Sequence, residues 1–337
     1  MKMFTRIALV VSGLSLALFG GVAIADSLVV DFESPTYSTG TINGQDGWIS
    51  TGAAGSGCAL YDHEVAANTY GYASFGGQSL RMSNAVTSGC FGDQTFSKPL
   101  ADEAGETDAQ NGGMSGGTRQ SRFESQWDFA STVPGSEQTE LSVVASPDRG
   151  DGARMSWVQM KDTPTGLEVN FFDYQDVAPF GSLATPSDGC GTGDDFMFSP
   201  VATGLDRSLP HTIKITMDLI DGPRNDVVKV YVDGVLLHTG TSWEDYFRWC
   251  TESGGGVPND PVADQSRTID SILFRTGGSA APATAGNGFV VDNLSLSSGP
   301  ILLSPANKEE CKKGGWRSFN NPTYKNQGDC VSSFKHQ

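Results

Sequence analysis

Short stretches in which apolar and polar residues alternate one for one, separated by joints rich in Gly, Pro, Asp and Ser, run through most of this chain. In residues 211–219, Ile213, Ile215, Met217 and Leu219 alternate with Thr212, Lys214, Thr216 and Asp218. Successive side chains on a strand point to opposite faces, so this stretch has one face for a core and one for water. Comparable stretches at 28–32, 79–83, 122–129, 140–145, 153–160, 167–174, 226–232, 235–239, 269–275 and 289–296 predict about eleven strands. Asp233-Gly234 predicts a tight hairpin turn between two of them. No stretch holds helical periodicity for three turns. The one local helix signal is Ser242 as a cap ahead of Trp243-Glu244-Asp245. With 42 Gly, 16 Pro and only 18% charged residues among 337, the composition excludes a helical bundle, a coiled coil and a long disordered tail. The expected fold class is all-β, a two-sheet antiparallel sandwich with long Gly-rich loops at 101–118, 181–204 and 254–264.

Residues 1–25 have the form of a secretory leader: Lys2 and Arg6, an apolar run over 7–19, and the small-residue cleavage signal Ala23-Ile24-Ala25. The expected organisation is a signal peptide at 1–25 cleaved after Ala25, a body at 26–298, and a linker with a basic Cys-containing segment at 299–337. Export to the periplasm or the medium, with no membrane attachment after cleavage, is the corresponding expectation.

Net charge is −17, unevenly spread. Residues 305–337 hold Lys308, Lys312, Lys313, Arg317, Lys325 and Lys335 against Glu309, Glu310 and Asp329, so the body is more acidic than the whole. Such a surface repels nucleic-acid phosphates and anionic membranes, and it suits solubility and divalent cations. The six cysteines (Cys58, Cys90, Cys190, Cys250, Cys311, Cys330) form an even set without CxxC spacing, which points to disulfides rather than to a metal site. Fifteen connectivities are open to six cysteines. Cys311 with Cys330 is the expected pair, because both lie in the basic tail beyond Ser298-Gly299-Pro300. Closing a loop of about 20 residues stabilises by roughly 3 kcal/mol in the chain-entropy model, help that a segment too small for its own core needs.

The run HTIKITMDLIDGPRNDVVKVYVDGVLLHTGTSWEDYFR, with DFESPTY and NGQDGW near the start and GFVVDNLSL near the end, resembles bacterial members of the concanavalin A-like lectin/glucanase superfamily, laminin-G-like jelly rolls among them. The resemblance covers residues 26–298. It implies a jelly roll whose first and last strands lie side by side. That superfamily hosts lectins, hydrolases, lyases and adhesion modules, so the fold does not select among them. The tail CKKGGWRSFNNPTYKNQGDC resembles a short C-terminal segment found on assorted exported bacterial proteins.

Three sets of residues are candidates for a site. Alternation over 122–129 buries Phe123, Trp127 and Phe129 and turns Arg122, Glu124, Gln126 and Asp128 to the other face, where their donors and acceptors suit sugar hydroxyls. If 153–160 and 167–174 pair nearby, Arg154 and Ser156 or Glu168 and Asn170 join that face; a solvated face with ordinary ion pairs is the competing interpretation. Trp243, Tyr246, Phe247 and Trp249, and Trp48 in Gly44-Gln45-Asp46-Gly47-Trp48, are platforms on which a sugar ring stacks, with core packing as the competing fate. Asp31, Glu33 and Asp292 meet if the first and last strands are neighbours, and their oxygens suit Ca²⁺. The resemblance adds that related sugar-binding sandwiches hold a structural calcium near their terminal strands.

Two strings are set aside. Gly113-Met114-Ser115-Gly116-Gly117 matches GxSxG but has no helix after it, and His63 between Asp62 and Glu64 reads as surface polarity because three consecutive residues rarely converge on one ion. The Glu-x-Asp-x-x-Glu pattern of laminarinase-type members is not reproduced by Glu124-Ser125-Gln126-Trp127-Asp128, so no catalytic residue is assigned. The expected function is a secreted, lectin-like module that binds a polysaccharide or glycan without catalysis. A hydrolase or lyase using two carboxylates about 5–10 Å apart, and a structural or adhesive role at the cell surface, stand as alternatives.

Overall fold

A computed structural model describes residues 26–50, 61–87, 94–101, 106–108, 113–114, 120–148, 155–175, 196–220, 225–244 and 269–335. The leader, Cys58, Cys90, Cys190, Cys250, Arg154, Tyr246, Phe247 and Trp249 lie outside these residues, as do Ser115, Gly116 and Gly117. The chain divides into two compact units, which within the described residues are 26–301 and 302–335.

The larger unit is all-β. It begins with β1 (Asp26–Val30), β2 (Gly40–Thr41), β3 (Ile49–Ser50), β4 (His63–Ala67), β5 (Gln78–Met82) and β6 (Gln94–Phe96). A small separate ribbon of β7 (Glu106–Asp108) and β8 (Gly113–Met114) follows. Then come β9 (Arg122–Ser131), β10 (Ser142–Asp148), β11 (Trp157–Thr163), β12 (Gly166–Tyr174) and β13 (Phe196–Leu205). The unit closes with β14 (His211–Asp218), β15 (Val227–Val232), β16 (Val235–Gly240), β17 (Ser271–Thr276) and β18 (Phe289–Gly299). Sheet A runs β16-β15-β14-β9-β18-β5-β4-β2, with β1 also paired to β18; sheet B runs β13-β12-β11-β10-β17-β6-β3. The pairings are antiparallel, and first and last strands are neighbours, from Asp26 opposite Ser298 to Val30 opposite Leu294.

The inner faces of the two sheets meet in one apolar cluster, in which Phe123, Trp127 and Ile215 of sheet A join Met160, Phe171 and Phe274 of sheet B. Trp127 bridges the layers, with its indole nitrogen 3.5 Å from the Met160 sulfur and its ring edge-on to Phe274 at 6.1 Å. Burying each such aromatic contributes roughly 1.5–3 kcal/mol, which is what holds the alternating strands with one face inward. At the β15–β16 turn, Asp233 and Gly234 have φ of 50° and 77°, the left-handed pair that a two-residue hairpin requires.

Several strands form where the sequence pattern placed none: β2, β3, β4 and β6 lie outside the predicted stretches, and β7 and β8 fall within the loop expected at 101–118. Residues 196–204 fall within a segment expected to be a loop, yet with Leu205 they form the ten-residue edge of sheet B. Pro200 and Gly204 mask the strand in sequence, and an edge position tolerates a proline because one side of the strand needs no ladder donor. His63 is not surface polarity: β4 turns it inward, where Nδ1 lies 2.8 Å from the Thr95 hydroxyl and burial pulls its pKa down to about 4. Asp62 and Glu64 point the other way and share Arg81, with Glu64 at 2.9 Å from the guanidinium. The Ser242 hydroxyl, expected to cap a helix, donates to Asp226 at 2.5 Å.

The smaller unit is built around the Cys311–Cys330 disulfide. Both cysteines are buried with Tyr324, and Trp316, Phe319, Val331 and Phe334 pack partly against them. Its helix, α1 (Gln327–Ser332), begins where the Asn326 side chain accepts from the Asp329 N–H at 2.9 Å.

Candidate functional site

The outer face of sheet A carries the row expected from sequence. Arg122, Glu124, Gln126 and Asp128 point away from the core, opposite Asp218, Thr216, Lys214 and Thr212 of β14. These side chains are spent largely on one another. Arg122 pairs with Glu124 at 2.5 Å and with Asp218, and Lys214 reaches Glu124 at 2.6 Å. Burial raises the Glu124 pKa, but the hydrogen bonds and charges of Lys214 and Arg122 outweigh it and leave the carboxyl below its ordinary range. Asp128 accepts from the Thr212 hydroxyl at 2.5 Å and from the Asn293 amide at 2.8 Å. Only Gln126 of the four is exposed. A ligand on this face would have to displace existing bonds.

Glu168, Asn170 and Ser156 do not join that row. β11 and β12 belong to sheet B, and because both sheets turn inward to share one core, their outer faces point in opposite directions. Ser156, just before β11, is fully buried. Trp243 is no platform either: it is 1% exposed, 4.8 Å from the Trp157 ring, and its indole N–H donates to the Phe172 carbonyl at 2.9 Å. Trp48 is likewise in the core, donating to the Tyr37 hydroxyl at 3.2 Å. Neither indole shows a sugar an open face.

The outer face of sheet B does have an open site. The strand registers set Arg275 of β17, Val144 of β10, Gln159 of β11 and Asn170 of β12 side by side across four strands. Two residues along, the half-buried Trp157 and Phe172 stand opposite each other with ring centroids 6.2 Å apart. Between these rows is a cleft of about 340 Å³, lined by Val144, Trp157, Gln159, Phe172, Arg275 and Thr276 and rimmed by Gly277 and Gly278. At Gly277 a Cβ would come within 2.3 Å of the Ser142 hydroxyl, so this rim stays bare. The polar row is internally ordered: the Asn170 amide donates to Gln159 at 3.2 Å, and the Gln159 amide donates to Ser142 at 2.8 Å. The Arg275 guanidinium sits 5.3 Å over the Trp157 ring. Thr276 is 4% exposed, and its hydroxyl has no partner among the described residues. Among those residues, no carboxylate lines the cleft.

Asp31, Glu33 and Asp292 come together beside β1 and β18. Asp292 is 2% exposed and accepts from the Asn293 N–H at 2.8 Å. Burial raises its pKa to about 8, with the charges of Glu33, Asp31 and Asp128 adding to the effect. Oxygen-only donors have the right chemistry for Ca²⁺. Glu33, however, accepts from the Gly77 and Gln78 N–H groups at 2.5 and 3.0 Å, which ties it to the loop before β5. Among the described residues, no group of three or more His, Cys, Asp or Glu side chains is arranged to hold a metal ion.

No protein-family model and no curated protein matches the chain. Among solved structures, the chain is similar to a double mutant of alginate lyase Aly36B in complex with alginate tetrasaccharide: 12% identity over 84% of this chain and 100% of that one, TM-score 0.44. It is also similar to an alginate lyase from Pseudomonas aeruginosa, at 11% identity over 65% of this chain and 82% of that one, TM-score 0.34. A galectin from Caenorhabditis elegans matches at 7% identity over 62% and 98% of the respective chains, TM-score 0.27. At TM-scores below 0.5, none of these likenesses assigns a role to a residue of this chain.

Proposed function

We propose that this chain is an exported carbohydrate-binding protein whose ligand, a polysaccharide or glycan, lies in the cleft on the outer face of sheet B and is not chemically altered there. One observation carries this: an aromatic wall of Trp157 and Phe172 stands beside an ordered row of amide and guanidinium groups. A sugar ring presents an apolar C–H face and a rim of hydroxyls, so it needs a ring to stack on and fixed donors and acceptors alongside. Arg122 and Glu124 of the competing row on sheet A are held in ion pairs, stronger bonds to open than the neutral amide bonds of the cleft.

The lining supports binding over hydrolysis by a pair of carboxylates. Hydrolysis by two carboxylates requires an acid and a base flanking the bond, and the described lining supplies neither. The acidic body argues against a nucleic-acid partner, and the leader supports export, with cleavage after Ala25. Among the described residues, no helix is long and apolar enough to cross a membrane.

A glycan array probed with the purified protein lacking residues 1–25, followed by product analysis on each hit, tests this. The expected result is binding with no new reducing ends and no unsaturated products. Product release would assign a hydrolase or lyase, and absence of any glycan hit would overturn the proposal in favour of a structural or adhesive role.

A further inference from the structure

One side of the sandwich ends in two edge strands, β16 of sheet A and β13 of sheet B, which approach each other there. Their sequences, VLLHTG and FMFSPVATGL, contain no Lys, Arg, Asp or Glu, in a chain that is 18% charged and carries a net charge of −17. Of the ten large hydrophobic residues exposed in the described structure, five lie on these two strands: Met197, Phe198, Val235, Leu236 and Leu237, each 42–57% exposed. Edge strands are ordinarily kept from associating by charge, proline, shortness or a bulge. At the far edges, β2 and β3 have only two residues each. β13 carries Pro200. On β16 the device runs the other way: the register slips against Val230 and Tyr231, making Leu237 the extra residue, and three successive apolar side chains are left in water.

We infer that this edge is the interface of a homodimer, in which β16 and the adjoining part of β13 meet the same surface of a second copy across a two-fold axis. A two-fold contact brings one patch against itself, so its chemistry must be self-complementary. Val, Leu, Met and Phe side chains satisfy that; a patch rich in one sign of charge does not. Over most of the surface, two copies of a chain this acidic repel each other. The two strands themselves bring no formal charge to the contact, and the apolar surface removed from water favours it. The inference is independent of where, or whether, the protein binds sugar.

Sedimentation equilibrium of the protein lacking residues 1–25, from low to high micromolar concentration, tests it. The expected result is a dimer whose dissociation constant rises at least about 10-fold in the double variant Leu236→Glu/Leu237→Glu and is unchanged in Val29→Glu, an exposed apolar residue on another strand. The variant should keep the wild-type circular dichroism spectrum. A wild-type protein that stays monomeric throughout would overturn the inference, whatever else covers the edge. So would a dimer indifferent to the double substitution. If that variant does not fold, hydrogen exchange on the wild type decides: amides of 235–240 must gain protection as concentration rises, and equal exchange at both ends of the range would contradict the dimer.

Discussion

Asp292 of β18 stands directly opposite Asp128 of β9, and the two carboxylates share the neighbourhood of Asp31 and Glu33. Asp128 accepts from Thr212 and Asn293, whereas Asp292 is buried and holds its proton up to about pH 8. In the unfolded chain the same carboxyl releases its proton near the ordinary value of 3.8. Between those values the folded state binds more protons than the unfolded one, so stability falls as pH rises through that window. The thermal midpoint of the wild type should therefore drop more between about pH 5 and about pH 8 than that of Asp292→Asn, which has no proton to lose. Parallel profiles for the two proteins would contradict the assignment.

The same carboxylates carry the proposal of a structural Ca²⁺. Like charges gathered around a buried carboxyl are relieved either by a proton or by a hard cation, and the cation competes best where Asp292 is ionised. We expect Ca²⁺ to raise the thermal midpoint relative to chelator at about pH 8, and Asp292→Asn to abolish the rise. An unchanged midpoint would remove calcium and leave protonation as the means of relief.

The Cys311–Cys330 bond, with 19 residues of sequence separation, closes the loop that holds the smaller unit together. In the chain-entropy model such a closure is worth roughly 3 kcal/mol, a large share for a segment with so small a core. The double variant Cys311→Ser/Cys330→Ser should lose hydrogen-exchange protection in α1 while the melting of the sandwich stays where it was. Continued protection of α1 would show that packing alone suffices.

What was legible in the sequence was local. The alternation in 211–219 and 122–129 fixes which side chains face the core, the Asp233-Gly234 turn fixes a hairpin, and the change of charge beyond Pro300 isolates the tail disulfide. Sheet membership was not legible, because it depends on pairing between distant strands. Glu168 and Asn170 alternate with the core residues Leu167, Val169 and Phe171, but nothing within 153–174 says that β11 and β12 sit on the opposite sheet from β9. Arg275 closes one predicted strand, yet its value lies in Gln159 and Trp157 of another, which only the β17-β10-β11 order brings alongside. Trp243 shows the same limit for aromatics: composition alone does not separate a stacking platform from a core residue.

The central claim is that sugar binds on sheet B and not on sheet A, and calorimetric titration with the strongest glycan hit decides it. Gln159→Ala/Arg275→Ala removes an amide and a guanidinium from the cleft, whereas Glu124→Ala/Gln126→Ala strips the opposite face. The prediction is that the first variant loses roughly 1–3 kcal/mol, or about 5- to 150-fold in affinity, with its fold intact, while the second binds as the wild type does. Affinity lost in the second variant and kept in the first would place the ligand on Arg122–Asp128 and contradict the account.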